Sequence, residues 1–596
     1  MMFDDDVIVA PDRLPSARVP PRFWVLSASM GVVLALLVGR SFTLQILRGE
    51  DFRRTAEGNR VAALPIAAPR GILYDASGKA LTENIASTDV LLDPSTLPAE
   101  EDEAYLLEKI PALLSGITPE AVREGIHRAR EPKRPVVLKK AASHMEVLAL
   151  EAAQQEIAGV RLVSALVRKY PYGEDLAHVV GYTGAVTAEE LERNPSLLPI
   201  DTTGKIGLEK TYEDSLRGRP GYVYSEVNAA GRPQKDLGRQ QPTAGKDLAL
   251  TIDVELQQFI AGQLRDGKRQ GAVVVLDPRD GAIKALVSFP TFDPNVFSQP
   301  GQGEAAASAT NEPSQPLFNR ALAGAYPPGS TIKPFLAVGG LAEGVIDEQT
   351  TVLSSGGIRI GQWYFPDWKA SGHGSTDVKK AIAESVNTFF YLLAGGDETR
   401  TGLGVERATE YLGLFGWGST PEIDLPGAED GFLPSKAWKE KTKGERWYIG
   451  DTYHLGIGQG GVLVTPLQLA DSTAAIANGT HSIQPHLSSD VTGKRKRLPF
   501  HAEHITIVRE GMRQTVTEGS GRRLSSFPVA IAGKTGTAQV GGTDKTHAWF
   551  TSFGPYEEPQ LVITVLLEYA GEGDDEAVPF TETIWRWWLE NRHVAR

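Results

Sequence analysis

Hydrophobic positions divide the chain into three stretches with different patterns. Residues 23–39 are uncharged and mostly apolar, which is the short end of the length that spans a bilayer. Residues 48–242 alternate short β-like runs with helical patterns, as over 103–130 and 143–158. From residue 247 onward, strands are followed by helices and then by strands again. This order predicts an α+β fold in which helices pack on an antiparallel sheet.

The apolar run predicts a single transmembrane anchor over residues 23–47. Arg40 ends the uncharged run, but a slightly longer tilted helix with this side chain at the interface fits the sequence. A buried helix and a cleaved signal peptide are the alternatives. Trp24 at the expected interface and the lack of a small-residue cleavage site favour the anchor. We expect residues 1–22 to be a short disordered cytoplasmic tail and residues 48–596 to lie outside the cytoplasm.

The amino-acid composition excludes several kinds of functional site. The 61 basic and 74 acidic residues give a net charge of −13, which argues against a nucleic-acid surface. There is no cysteine in the 596 residues, so thiol catalysis, disulfides and cysteine-based metal sites are excluded. A chain of this length should fold as several domains.

The first predicted domain, residues 48–242, has no recognisable metal or acid–base constellation. Its glycine-containing stretch 204–210 lacks the Walker spacing, so turns in a scaffold are the better interpretation. Residues 231–245, rich in Gln, Pro and Gly, predict the boundary with a second domain over 243–596.

Within the second domain the pattern predicts a strand over 247–252, a helix over 253–264 and a hairpin of 272–276 with 282–288. Residues 299–315 predict a mobile loop.

Near the C-terminus, residues 547–551 predict a sheet strand and 572–576 a solvated acidic loop. Residues 581–592 predict a helix that packs on the sheet, with membrane docking as the alternative.

The candidate chemistry begins at Ser330. Pro327-Pro328-Gly329 stops the preceding element, and a helix starting at Ser330 would place its hydroxyl at a helix N-terminus, where developing negative charge is favoured. Lys333 lies one turn later on the same face and could accept the serine's proton. An isolated S-x-x-K pattern arises by chance roughly once or twice in a chain of this length. A helix cap and a solvated lysine are therefore the alternatives.

Two later motifs make the S-x-x-K pattern far more specific than it is alone. Ser385-Val386-Asn387 and Lys534-Thr535-Gly536-Thr537 follow in the order typical of β-lactamases and penicillin-binding proteins. With these motifs the chain resembles the class B penicillin-binding proteins, and within them the elongation-type peptidoglycan D,D-transpeptidases. The resemblance extends to Arg70–Asp75, Gly207–Glu209, Asp367–Lys369, Gly372–Gly374 and Gly456–Gly460.

The resemblance implies a role for each motif residue. Ser330 would be the nucleophile, Lys333 its base, and Ser385, on a loop between helices, a proton relay between Lys333 and the amine. Asn387 would hydrogen-bond the substrate peptide and Lys534 supply positive potential. Thr535 and Thr537 would bind the donor's terminal carboxylate, Gly536 would let the peptide approach the strand edge, and the backbone N–H groups of Ser330 and Thr537 would form the oxyanion hole.

Some relatives are thought to bind zinc near Asp367 and His373. A zinc site needs three or four ligands, and Val386 stands where a cysteine ligand would be wanted. We therefore expect no metal and no cofactor.

The resemblance also implies partners and a location. The partners are peptidoglycan stem peptides, β-lactams, the membrane, a rod-shape glycosyltransferase of the SEDS type and a morphogenetic scaffold protein, with no nucleic acid. The expected location is the inner membrane, with the catalytic domain in the periplasm and residues 48–242 as its non-catalytic pedestal. A division-type class B transpeptidase, a membrane-anchored β-lactamase and a β-lactam sensor remain alternatives.

Overall fold

The computed structural model describes residues 21–48, 61–94, 96–98, 103–131, 135–153, 157–194, 196–198, 201–227, 233–479 and 481–592. Most of the predicted tail, residues 1–20, lies outside these ranges. The chain forms two compact units, one of residues 1–65 with 222–240 and one of residues 66–221 with 241–596.

Helices and strands alternate irregularly along the first part of the chain. Up to residue 249 they are, in order, α1 (Pro21–Phe42), β1 (Val61–Ile66), β2 (Leu73–Tyr74), β3 (Glu83–Leu92), α2 (Glu103–Leu113), α3 (Pro119–Arg130), β4 (Val136–Lys139), α4 (His144–Ala153), β5 (Val160–Lys169), α5 (Ala177–Val180), β6 (Tyr182–Ala185), α6 (Ala188–Arg193), β7 (Thr202–Ile206), α7 (Gly207–Thr211), α8 (Glu213–Leu216), β8 (Gly221–Val227), β9 (Pro233–Gln240) and β10 (Leu248–Ala249).

From residue 254 they are α9 (Val254–Asp266), β11 (Gly271–Leu276), β12 (Ile283–Phe289), α10 (Asn295–Ser298), α11 (Gly303–Asn311), α12 (Lys333–Ala342), β13 (Val352–Ser354), β14 (Gly357–Ile360), β15 (Trp363–Pro366), β16 (Gly374–Thr376), α13 (Val378–Ala383), α14 (Asn387–Gly395), α15 (Gly404–Leu414), α16 (Lys436–Lys443), α17 (Ile449–Gly456), α18 (Pro466–Ala477), β17 (His481–Ile483), β18 (Arg495–Arg497), α19 (Ala502–Thr517), β19 (Ala532–Gln539), β20 (Thr546–Gly554), β21 (Leu561–Leu567) and α20 (Val578–Asn591).

The smaller unit contains α1 and the three-stranded sheet β1-β8-β9. The segment Trp24–Leu47 is long and apolar enough to cross a membrane. Residues 233–240, within the predicted boundary region 231–245, form β9 and pair antiparallel with β8. The described side chains of β9 are all exposed, so no buried apolar face marked the strand in the sequence.

A five-stranded antiparallel sheet in the order β12-β11-β21-β20-β19 forms the centre of the larger unit. Both of its faces are covered. Val274 and Leu286 belong to the core cluster on one face, and Val273 and Val565 to the cluster on the other. Strands buried on both faces read as nearly continuous apolar runs, which is why β11 and β21 are so hydrophobic. The α+β prediction is confirmed.

Several local predictions are also decided. The hairpin β11–β12, the strand over 547–551 and the C-terminal helix α20 are confirmed, and Ile584 and Trp585 of α20 are fully buried against the sheet. The mobile loop predicted over 299–315 is wrong in part, because α11 occupies residues 303–311. The acidic loop over 572–576 instead enters a π-helical turn, Gly573–Ala577, whose first and last residues are buried.

Two of the additional stretches that carried the resemblance meet in a buried ion-pair cluster. The Glu209 carboxylate is fully buried and accepts hydrogen bonds from Arg70 Nε at 2.5 Å and Arg168 Nε at 2.7 Å. Arg70 also contacts Glu213 at 2.7 Å; burial alone would lower the pKa of Arg70, but the two carboxylates raise it. The cluster ties the segments 70–75 and 207–213 to β5, so these stretches are structural.

Replacing Glu209 should destabilise the protein. Glu209→Ala leaves the buried Arg168 guanidinium without its carboxylate, so we expect a loss of roughly 3–5 kcal/mol in the free energy of unfolding, measured by urea titration of the purified chain. Glu189→Ala, at an exposed position of α6, is the control and should change it by less than about 0.5 kcal/mol. A loss below about 1 kcal/mol at Glu209 would show that the cluster is not a structural tie.

Candidate active site

The segment that carries Ser330 approaches the sheet too closely for side chains at two positions. Residues Gly329–Ile332 form a 3₁₀ turn, and α12 begins at Lys333, so Ser330 lies just before the helix that the sequence predicted to start there. Gly329 has a φ of 52°, and a Cβ on it would lie 2.4 Å from the Thr537 carbonyl oxygen. A Cβ on Gly536 would lie 2.8 Å from the Pro328 oxygen. The first and third motifs are therefore in direct backbone contact.

This contact gives Gly536 a second role beside the expected one. The sequence prediction was that the missing side chain gives the substrate room at the strand edge. In the structure a side chain on Gly536 would point toward Pro328 and Thr331. These two residues belong to the segment 327–332 that carries Ser330, called here the nucleophile segment. β19 does lie at the edge of the sheet, with β20 as its neighbour.

Lys333 connects the first motif to the second. Its side chain is fully buried, and Nζ donates hydrogen bonds to the Ser385 carbonyl oxygen at 2.8 Å, the Ser385 Oγ at 3.3 Å and the Asn387 Oδ1 at 2.7 Å. Burial lowers the pKa of Lys333 to about 7, with Asp367 acting in the opposite direction. An amine with such a pKa exchanges a proton readily near neutral pH.

The second motif lies on a loop between two helices, as the resemblance implied. Ser385 has a φ of 55° and lies between α13 and α14. The alternative that Ser385 merely caps α14 does not fit, because the residue preceding that helix is Val386. The unusual backbone conformation turns both the carbonyl and the hydroxyl of Ser385 toward Lys333.

Asp367 holds the start of α14 from a distant part of the chain. Its Oδ1 accepts from the Asn387 N–H at 3.0 Å, and its Oδ2 accepts from the Thr388 N–H at 2.9 Å and the Thr388 hydroxyl at 2.6 Å. Burial alone would raise the pKa of Asp367, but these hydrogen bonds and the Lys333 charge lower it. In the sequence, Asp367 belongs to one stretch of the resemblance and is a candidate metal ligand, but the sequence gives no sign of this positioning role, because the helix begins 20 residues later.

The third motif brings a second buried amine to the site. Lys534 is fully buried and its Nζ donates to the Thr535 carbonyl oxygen at 3.0 Å. Burial, followed by the Lys333 charge, lowers its pKa well below the usual value, so the positive charge expected at Lys534 is opposed by its surroundings. The Thr535 hydroxyl lies 2.6 Å from Ser520 Oγ, and the Thr537 hydroxyl donates to Glu572 Oε2 at 2.7 Å.

The glycine-rich run Gly456–Gly460 also contacts the nucleophile segment through backbone atoms. Gly329 N–H donates to the Gly458 oxygen at 3.1 Å. Gly458 has a φ of 73°, and a Cβ on it would lie 2.0 Å from the Gly329 oxygen. The Trp549 indole also donates to the Pro327 oxygen at 3.0 Å. The five candidate catalytic residues and the third-motif strand thus belong to one connected site.

Comparisons with known proteins decide the family. The family model described as penicillin binding protein transpeptidase domain matches residues 271–585, and the one described as penicillin-binding protein dimerisation domain matches residues 65–250. The chain belongs to the penicillin-binding protein transpeptidase family. Two similar relatives are both named peptidoglycan D,D-transpeptidase MrdA. The one from Acinetobacter baumannii is 34% identical, over 94% of this chain and 86% of the relative, and the one from Escherichia coli K12 is 33% identical, over 92% and 91%.

Solved structures of similar proteins share the fold of this family member. A complex between a penicillin-binding protein (PBP2) and MreC from Helicobacter pylori matches with a TM-score of 0.78 and 26% identity, over 90% of this chain and 99% of that one. A peptidoglycan synthase complex that coordinates polymerization and crosslinking matches with a TM-score of 0.70 and 29% identity, over 96% and 99%.

The donor set near Asp367 does not fit the zinc that some family members are thought to hold. His373 Nε2 is buried, has no hydrogen-bond partner among the described residues and lies 3.8 Å from Asp367 Oδ1, while His373 Nδ1 lies 2.6 Å from Glu384 Oε2. In the described part of the chain no group of three His, Cys, Asp or Glu side chains could hold a metal. Val386, fully buried in the second motif, supplies no donor atom. A structural zinc would therefore lack ligands at this position.

Substituting Gly458 should damage the site. In Gly458→Ala the new methyl group clashes with the Gly329 backbone, and a displacement of about 1 Å at Ser330 slows reaction on the order of 10²-fold. We expect that loss in the rate of labelling by a fluorescent penicillin, with a circular dichroism spectrum unchanged from the wild type.

The control is Gly262→Ala in α9, where a Cβ meets no atom within 4 Å. It should label at the wild-type rate. Labelling of the Gly458 variant within twofold of the wild type would show that the glycine-rich run does not position Ser330.

Proposed function

We propose that this protein is a peptidoglycan D,D-transpeptidase that cross-links stem peptides through an acyl ester on Ser330. The observation that carries this proposal is the hydrogen bonding of the buried Lys333 Nζ to both Ser385 and Asn387, next to the turn that bears Ser330. A lysine with a pKa near 7 can act as the base that a serine nucleophile needs. The names of its relatives agree with this activity.

Acylation begins with neutral Lys333. Ser330 Oγ attacks the carbonyl carbon of the penultimate residue of the donor peptide, and its proton moves to Lys333. The negative charge on the carbonyl oxygen is stabilised by the N–H groups of Ser330 and Thr537. As the C–N bond breaks, the proton passes through the Ser385 hydroxyl to the departing amine of the terminal D-alanine. The donor is then an ester of Ser330.

The second half reverses this path with a different amine. An amino group of the acceptor stem peptide attacks the ester carbonyl, and the Ser385–Lys333 pair accepts its proton. The C–O bond breaks, the proton returns to Ser330 Oγ, and a new peptide bond joins the two strands. The same relay serves both steps because Ser385 contacts Lys333 through its hydroxyl.

Recognition of the donor uses the edge of the sheet. An extended peptide can add to β19 as a further strand, with its terminal carboxylate at the Thr535 and Thr537 hydroxyls. The approach of this carboxylate favours the protonated form of the buried Lys534. Asn387 uses its Oδ1 to accept from Lys333, which leaves its amide N–H groups for the peptide. β-Lactams carry a carboxylate and a reactive carbonyl, so they should acylate Ser330 in the same way.

The location and partners are part of the proposal. Segment Trp24–Leu47 would be a single-pass anchor in the inner membrane, with residues 48–596 in the periplasm. The similar structures of a complex with MreC and of a peptidoglycan synthase complex support a morphogenetic scaffold protein and a rod-shape glycosyltransferase as partners.

A fluorescent fusion of this protein should then locate along the lateral wall of growing cells. A signal confined to the division septum would contradict the elongation role.

The acyl-enzyme can be tested directly. Mass spectrometry of the full chain treated with benzylpenicillin should find one penicilloyl group, carried by Ser330, because Ser330 is the proposed nucleophile and the Ser385 hydroxyl serves as the relay to Lys333. The ester should persist long after removal of the free drug. Rapid release of the ester would instead indicate a β-lactamase. The matched control is Ser308→Ala, at an exposed position of α11, which should label as the wild type does.

Ser330→Ala should carry no adduct. An adduct that survives this substitution, or none in the wild type, would refute the proposed function.

A further inference from the structure

The acidic segment after β21 contacts the third motif directly. Backbone atoms of Gly573 pack so closely on the sheet that a Cβ there would lie 2.4 Å from the Gly536 oxygen and 2.6 Å from the Trp549 oxygen. Gly573 N–H donates to the Thr537 hydroxyl oxygen at 3.2 Å. The segment is therefore fixed against the strand that the proposed function assigns to donor binding.

Glu572, at the start of this segment, binds the same hydroxyl group from an exposed position. The Thr537 hydroxyl donates its proton to Glu572 Oε2 at 2.7 Å, while the Glu572 residue as a whole is solvent-exposed. A threonine hydroxyl has one proton, so it can donate to one carboxylate at a time. The fixed backbone at Gly573 and the exposed side chain at Glu572 allow the carboxylate to leave while the segment stays in place.

We propose that Glu572 is a specificity-determining residue whose carboxylate occupies the Thr537 hydroxyl until the terminal carboxylate of an acyl donor replaces it. This inference rests on the proposed function, which assigns the Thr537 hydroxyl to that carboxylate. Glu572 and the donor terminus are chemically alike as hydrogen-bond acceptors, and like charges at one donor repel each other. The residue therefore slows acylation by donors that bear a carboxylate and leaves other acyl donors unaffected.

The inference concerns the third motif and not the nucleophile. Glu572 makes no hydrogen bond to Ser330, Lys333 or Ser385 in the part of the chain that the structure describes, so its removal leaves the contacts of these residues intact. Its effect should accordingly appear as a change in preference between acyl donors. A general change in reactivity would affect every donor equally.

The test compares benzylpenicillin with its uncharged methyl ester on the full-length protein in detergent. In Glu572→Gln the second-order rate constant for acylation by the acid should rise about three- to fivefold, the size of a lost competing charge interaction near a protein surface, and that for the ester should stay within twofold of wild type. Asp575→Asn is the matched control. It removes the same charge from the same segment at an exposed residue, and should change neither rate by more than twofold.

The possible outcomes separate the inference from the proposed function. An unchanged rate with the acid in Glu572→Gln would overturn the inference, and a lower rate would overturn it by showing that Glu572 instead supports Thr537. An equal rise with acid and ester would overturn it in favour of a general effect on the segment. Absence of any Ser330 adduct in the wild type would refute the proposed function and this inference together, whereas a wild-type adduct with an unchanged preference would refute the inference alone.

Discussion

The burial of the Lys333 ammonium group is the constraint on which the rest of the site depends. A lysine without water must find acceptors for its protons, and all three of its hydrogen-bond acceptors in the described structure belong to the second motif, Ser385 and Asn387. This motif in turn holds the unusual backbone conformation at Ser385 that aims a carbonyl and a hydroxyl at one amine. The same burial that forces this geometry also lowers the pKa of Lys333, so structure and reactivity have one cause.

Close backbone contact is the second constraint on the geometry of the site. Gly329, Gly458 and Gly536 lack side chains at the points where the nucleophile segment meets the glycine-rich run and β19. These contacts join parts of the chain far apart in sequence, and the sheet fixes their positions through strands buried on both faces. Asp367 adds a further tie, because it accepts hydrogen bonds from the first N–H groups of α14 and so holds the second motif in place.

The sequence allowed prediction of those features that depend on local pattern. The buried strand β11 was predictable because it is apolar throughout, and the three motifs because their order is specific. Strand β9 was missed because its described side chains are exposed, and α11 because its Ala, Ser and Gly residues suggested a loop.

The roles of Asp367 and Glu572 depend on contacts to distant residues, Asn387 and Thr537, and no local pattern encodes such contacts. Gly456–Gly460 did carry a signal, since several glycines in one run indicate close backbone approach. The contact of Gly536 with the nucleophile segment likewise joins residues far apart in sequence.

The central claim is that buried Lys333 acts as a base near neutral pH. The most direct test is the pH dependence of the rate constant for acylation of Ser330 by benzylpenicillin in the wild-type protein. Because neutral lysine accepts the proton, the rate should rise with pH as Lys333 loses its charge, with a midpoint near the pKa of about 7. A rise centred near the ordinary lysine value of about 10.4, or a rate independent of pH, would contradict the account.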